Sequence, residues 1–315
     1  IRRIILASAY RPTRLHMTPS TPSIEALPWP QGELAIYRWP DTQPLQPRGV
    51  VLLVHGLGEH MGRYGHTADV LQQEHWICIG YDHLGHGRSQ GDRGKLPYSG
   101  ALVDGLVHVA QHVIAELPSK IARDLPLILL GHSLGGLVVA QAICTASDRM
   151  PDIRATVLSA PALGIHVSGF QAALLSTLSL IAPNLCLDHG LDPRSVCRDP
   201  MVVQAYVNDP LVHRNISIRL AAWMLKTSRQ LPNCAGRWSV PLLMLLAAED
   251  RLVDNRAAEH FMSKLAGHSG SIHREAEMFH EMLNDPEKER VLHKIADWLD
   301  LAIHKPPEDF FNTLN

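Results

Sequence analysis

The stretch "LILLGHSLGGLVVAQ", residues 127–141, decides the fold. An apolar run reaches Ser133, flanked by Gly131 and Gly135 two residues to either side, and then becomes apolar again. This is the G-x-S-x-G pattern of a nucleophile elbow, in which a buried strand turns sharply into a helix and holds a serine hydroxyl exposed on strained backbone. A β-carbon at either flanking position would collide with so tight a turn, and glycine stands at both. The surroundings agree: "LPLILLGHS" (125–133) reads as a buried strand and "GLVVAQAIC" (136–144) as a helix. A strand–turn–helix serine without chemistry is the competing reading, and this context disfavours it.

Outward from the elbow, similar short runs rich in Val, Ile and Leu recur: "GVVLLVHG" (49–56), "WICIGYD" (76–82), "IRATVLSA" (153–160) and "VPLLMLLAAED" (240–250). Each has the length of a strand buried on both faces. Helical patterns such as 100–117 and 135–147 lie between them. Alternation of this kind predicts an α/β protein with a mostly parallel central sheet and helices on both faces. "GELAIYRWP" (32–40) reads as an earlier strand, antiparallel at the edge.

From about Gly164 to Arg237 the alternation lapses. "FQAALLSTLSLIA" (170–182) is apolar, ends at Pro183 and is too short for a bilayer, which takes about 20 apolar residues. Phe170, Leu174 and Leu178 share one helical face. We read 162–238 as a helical cap inserted between two core strands, with helices packed into the main core as the competing reading. The resulting division is an N-terminal extension over 1–29, core over 30–161 and 239–303, cap over 162–238 and a tail over 304–315.

The chain has 315 residues, 46% hydrophobic and 19% charged, enough to bury a core without metals or disulfides. A formal net charge of −2, with no long run of one sign, argues against nucleic acid as a partner, which needs a basic face. The five cysteines show no C-x-x-C spacing, which argues against a zinc site or disulfide framework. Cys78 and Cys144 read as core residues; Cys186 and Cys197 could pair, but reduced thiols are expected. "IRRIILASAY" (1–10) faintly resembles a signal peptide, yet its apolar patch is too short. We read it as an upstream extension, with Met17 as a start and a cytoplasmic location.

A serine hydroxyl is a weak nucleophile and needs a base, itself oriented by a third group. In a fold with this elbow the chain order is serine, acid, histidine. Asp250 follows a late buried strand; Glu249 and Asp254 are rivals. His280, in "SIHREAEMFHEMLND" (271–285), comes at the end of the next strand-like stretch, whereas His273 lies within it and His260 and His268 precede it. "HEMLN" lacks the second histidine of H-E-x-x-H, so a zinc protease is excluded. An oxyanion needs two donors: the backbone N–H of Leu134, just after the nucleophile, and that of Leu57 in "VLLVHGLGEH" (51–60). "DHLGHGRSQG" (82–91) misses G-x-G-x-x-G and reads as a scaffold turn rather than a phosphate loop. Glu59, His60 and Arg63 could meet a polar head group, or Glu59 and Arg63 could form an i, i+4 salt bridge.

Together and in order, "HGLGEHMGRY" (55–64), "YDHLGHGRSQGDRG" (81–94), "GHSLGG" (131–136), "EDRLVD" (249–254) and "FHEMLND" (279–285) resemble the monoacylglycerol lipase and lysophospholipase branch of the serine α/β-hydrolases, grouped with the S33 aminopeptidases. The resemblance covers roughly residues 30 to 303 and is weakest over 164–238. It implies an α/β-hydrolase fold, a Ser133–Asp250–His280 triad, oxyanion donors at Leu57 and Leu134, and a mobile apolar cap touching membranes or lipid aggregates. Position 57 is often smaller in this family, which a backbone donor tolerates. The expected activity is hydrolysis of a lipid monoester, a monoacylglycerol, with no cofactor or metal. A lysophospholipid or short-chain ester is the alternative. A peptidase would need an acidic subsite for a free amino terminus, and a non-catalytic lipid-binding module would have no use for the whole triad.

Overall fold

The computed structural model describes residues 20–40, 47–117, 125–165, 167–265 and 270–304. The signal-like segment, the start at Met17 and the tail beyond residue 304 lie outside the described residues. In chain order the strands are β1 (Ser23–Trp29), β2 (Gly32–Arg38), β3 (Gly49–Val54), β4 (Trp76–Tyr81), β5 (Leu127–His132), β6 (Ile153–Ser159), β7 (Cys186–Asp188), β8 (Asn215–Ser217), β9 (Leu242–Ala247) and β10 (Gly270–Glu275). The helices are α1 (Gly65–Gln73), α2 (Ala101–Glu116), α3 (Leu134–Thr145), α4 (Gly169–Ile181), α5 (Pro200–Asn208), α6 (Ile218–Gln230), α7 (Asn255–Ser263) and α8 (Lys288–His304).

Among the described residues, eight strands form one sheet in the order β1-β2-β4-β3-β5-β6-β9-β10. β1 and β2 run antiparallel to their neighbours, and the other pairings are parallel. This is the expected α/β-hydrolase architecture. Successive side chains of a strand face opposite ways, so a strand covered on both faces is apolar throughout. Accordingly Val50, Leu52 and Val54 of β3 enter one core cluster with α2 and α3, while Val51 and Leu53 enter the other with α1 and α8.

The sheet begins earlier than the sequence indicates. β2 is not the edge strand, because β1 pairs with it from Ser23↔Arg38 to Trp29↔Gly32. β1 therefore lies inside the segment read as an extension over 1–29. Only Leu27 of β1 is buried, so no apolar periodicity announces it.

The segment between β6 and β9 carries α4, the small antiparallel pair β7–β8, α5 and α6. Its helices differ. α6 buries Leu220, Trp223 and Met224 in the cluster shared with α2 and α3. α4 packs on α6 but buries only Ala172, leaving Phe170 at 78%, Leu180 at 86% and Ile181 at 75% exposure. No helix among the described residues is long and apolar enough to cross a membrane.

The cysteines depart from expectation. Cys144, at the end of α3, forms a disulfide with Cys234, just after α6, across a Cα–Cα distance of 5.9 Å. Among the described residues Cys78, Cys186 and Cys197 are not part of a disulfide. A separation of 90 residues, with no motif at either end, hides such a pair from a sequence reading.

Candidate active site

The strand order reverses at β3, whose neighbours β4 and β5 diverge to opposite sides. In open α/β sheets the crevice for a ligand forms at the carboxyl ends of the strands beside such a point. The turns after β3, β5, β9 and β10 all deliver candidate residues there.

After β5, Ser133 takes φ 52° and ψ −115° before α3 begins. A non-glycine residue in this region costs about 1–3 kcal/mol and persists only when its surroundings enforce it. Here the Ser133 N–H donates to the Ser159 carbonyl at 3.0 Å, and the Ser133 carbonyl accepts from the Ala162 N–H at 3.0 Å. A β-carbon on Gly131 would lie 2.6 Å from the Gly135 carbonyl oxygen, and one on Gly135 would lie 2.1 Å from that of Val54. The second glycine thus serves the approach of α3 to β3 as well as the turn. Leu134 is the first residue of α3, so its N–H has no acceptor within the helix and stands at the positive end of the helix dipole.

The turn after β3 lies against the elbow: a β-carbon on Gly56 would sit 3.3 Å from the Ser133 β-carbon. Two buried side chains shape it. Glu59 accepts from the Gly56 N–H at 2.7 Å and the Tyr64 hydroxyl at 2.8 Å through one oxygen, and from Arg63 at 2.5 Å through the other. The His55 Nε2 accepts from the His83 N–H at 2.9 Å, while Nδ1 faces the Gly56 carbonyl at 2.8 Å. Burial holds the His55 imidazole neutral, with its pKa lowered to about 3. The expected oxyanion donor Leu57 follows on this braced turn and lines the pocket.

Of the three candidate acids, only Asp250 meets His280. Its carboxylate lies 2.8 Å from the imidazole Nδ1, and its other oxygen accepts from the Leu252 and Val253 N–H groups. Burial alone would raise the Asp250 pKa, but these hydrogen bonds outweigh it and keep the carboxyl below its ordinary range. Glu249 is exposed, and Asp254 caps α7 and pairs with Arg256. His260 lies on α7 and His273 within β10, away from this pair; His268 is outside the described residues.

Ser133 and His280 line one cleft of about 300 Å³, partly open to solvent. Leu57, Leu191, Val196 and Leu252 make its apolar side. Glu59, Glu281, Tyr206 and His132 make a polar side. Burial lowers the His132 pKa to about 4. Leu191, Val196 and Tyr206 come from the insertion, which therefore roofs the cleft.

Of the candidate head-group residues, Glu59 lines the cleft, while His60 and Arg63 stand behind it. The Glu59–Arg63 ion pair forms, and Arg63 also grips Glu281 with two hydrogen bonds of 2.7 and 2.6 Å. Its guanidinium lies over the Tyr206 ring at 4.8 Å. His60 Nε2 lies 2.8 Å from an Asp209 oxygen of the insertion. Glu281, Tyr206 and Asp209 went unnoticed in the sequence. Only Glu281 carried a signal, standing directly after His280.

"DHLGHGRSQG" is scaffold. Asp82 accepts from the Met61 N–H, the Tyr37 hydroxyl and the Arg88 N–H at 2.6, 2.9 and 2.7 Å. A β-carbon on Gly87 would strike that carboxylate at 2.1 Å, which requires glycine there. Among the described residues, the one group spaced to hold a metal is Glu25, His112 and Glu116 on β1 and α2, where Arg38 pairs with both carboxylates.

Residues 45–287 match the family described as serine aminopeptidase, S33. The chain is 33% identical over 264 residues to a monoacylglycerol lipase of Mycolicibacterium smegmatis, covering 82% of this chain and 90% of that protein. It is 32% identical to the phospholipase YtpA of Bacillus subtilis, over 82% of this chain and 97% of that one. Among solved structures, a monoacylglycerol lipase of Paleococcus ferrophilus superposes with a TM-score of 0.72 at 32% identity, over 82% of this chain and 96% of that one. A soluble variant of a Saccharomyces cerevisiae monoglyceride lipase shares the fold, with a TM-score of 0.82 at 20% identity over 93% and 99% of the two chains. The chain therefore belongs to the S33 family of serine α/β-hydrolases, in its monoacylglycerol lipase and lysophospholipase branch of carboxylic-ester hydrolases.

Proposed function

We propose that this protein hydrolyses a monoacylglycerol through an acyl-enzyme on Ser133. The observation that carries the reading is the Asp250–His280 contact of 2.8 Å at the edge of a cleft that also holds Ser133. His280 takes the proton as Ser133 Oγ attacks the ester carbonyl, and Asp250 stabilises the imidazolium. The N–H groups of Leu57 and Leu134 receive the negative charge of the tetrahedral intermediate. Collapse expels the alcohol, which takes the proton from His280. Water, activated by the same imidazole, then releases the fatty acid.

A cleft apolar on one side and polar on the other suits an ester of a long acyl chain and a small polyol. The lipase names of the relatives support the same substrate. The cleft is small under its roof, so an acyl chain enters by movement of the insertion. The exposed apolar residues of α4 supply the surface that docks on a lipid aggregate as that roof opens.

The test is a panel on the purified protein: long-chain monoacylglycerols, lysophospholipids, short nitrophenyl esters and Pro-nitroanilide. Highest kcat/KM on monoacylglycerol supports the proposal. A preference for lysophospholipid moves the substrate within the branch, and cleavage of the anilide alone overturns the ester reading.

A further inference from the structure

The polar side of the cleft carries charge. Glu59 and Glu281 are 3% and 5% exposed, and both line the cleft. The single guanidinium between them, Arg63, stands behind both carboxylates and is not part of the lining. Burial would push the Glu59 pKa up, but Arg63 and the hydrogen bonds outweigh it and hold the carboxyl ionised. Two carboxylates against one guanidinium leave this wall net negative, with its acidic edges facing the ligand. The neighbouring cations do not reverse this. Arg198 is matched by Asp285, Arg214 by Asp188, and Arg251 is exposed and lies over the Phe279 ring.

The two acids have different tasks. Glu59 holds the Gly56 N–H and so shapes the oxyanion turn. The Glu281 carboxylate instead accepts from the Arg63 and Asn284 side chains, while its backbone N–H donates to the Val196 carbonyl at 2.7 Å. We infer that Glu281 determines the charge selectivity of the cleft, admitting esters of neutral or cationic alcohols and rejecting alcohols that carry phosphate. Partly buried charges are screened poorly, so an unpaired negative group facing a buried carboxylate is an effective device against the wrong partner. This rests on the ester-hydrolase reading of the same site.

Three butyrate esters with one acyl chain and different alcohols test it: butyrylglycerol, butyrylcholine and butyrylglycerol phosphate. In the unaltered protein, kcat/KM for the phosphate ester should fall at least about tenfold below that for butyrylglycerol. In Glu281→Gln the gap should narrow at least about fivefold, with nitrophenyl butyrate as the reference for the state of the triad. A gap below about threefold in the unaltered protein overturns the inference whether or not the variant folds. So does a gap that survives unchanged in a folded Glu281→Gln. Turnover of none of these esters points instead to failure of the ester reading, which separates the two outcomes.

Discussion

The Gly56 N–H donates a 2.7 Å hydrogen bond to the carboxylate of Glu59, three residues along the chain. The bond braces the turn that, on the proposed mechanism, presents the Leu57 N–H to an oxyanion. Preorganised donors of this kind are worth about 10²–10³ in kcat each. Glu59→Gln keeps one acceptor but loses the charge shared with Arg63 and Tyr64. We predict a ten- to hundredfold loss of kcat, by order of magnitude, with KM for a short ester changed little. Steady-state kinetics checks it, and a rise in KM alone would place Glu59 in substrate binding instead.

Asp250 and Asp254 give a paired comparison. Asp250→Asn should lower kcat about 10⁴-fold, because the imidazole loses the partner that sets its tautomer and orientation. Asp254→Asn disturbs only the cap of α7 and its pairing with Arg256, and should cost about 1 kcal/mol of stability or less with kcat preserved. Kinetics and thermal melting on both variants distinguish the two. Greater catalytic damage from Asp254→Asn would reverse the assignment.

The exposed side of α4 predicts a separation of activities. Phe170 and Leu180 are 78% and 86% exposed, so Phe170→Ser with Leu180→Ser should move the melting temperature little. Hydrolysis of a soluble short ester should persist, while liposome binding and long-chain monoacylglycerol hydrolysis fall. Equal loss of both activities would return α4 to a structural role.

Buried imidazoles set the acid limit of stability. Burial holds His132 at about 4 and His55 at about 3, and holds His83 and His86 well below the usual range. The unfolded chain binds these protons near pH ~6.5, where the folded chain does not. The stabilisation is therefore present in full above ~6.5 and is lost as pH falls towards the folded values. His132 alone accounts for about 3 kcal/mol of this loss. Urea unfolding at pH 7.5 and 5.0 should give a clearly lower midpoint at pH 5.0, and His132→Phe should lessen the difference. Equal midpoints would contradict neutral burial.

The elbow was legible because its constraints are local. Glycines two residues to either side of Ser133, a buried strand before it and a helix after it are all written within fifteen residues. Asp250 and His280 followed because chain order and strand ends limit where an acid and a base can stand. What escaped depends on long-range contact. β1 buries a single leucine and has no period to read. Cys144 and Cys234 lie 90 residues apart in the chain and are brought within disulfide reach by the packing of α6 on α3. Tyr206 and Asp209 occupy an insertion without a motif, and their direct contacts with Arg63 and His60 appear only in the fold. Glu281 stands next to His280 in the sequence, but its pairing with Arg63, which Glu59 shares, appears only in the fold.

The central claim is that Ser133 is the nucleophile, and a serine-directed phosphonate tests it most directly. The unaltered protein should take up one label per chain and lose its esterase activity in step. Ser133→Ala should take up none, melt at nearly the same temperature, and show a kcat lower by about a million-fold, as for other triads that lose their serine. Stoichiometric labelling of folded Ser133→Ala, or esterase activity close to that of the unaltered protein, would contradict the account.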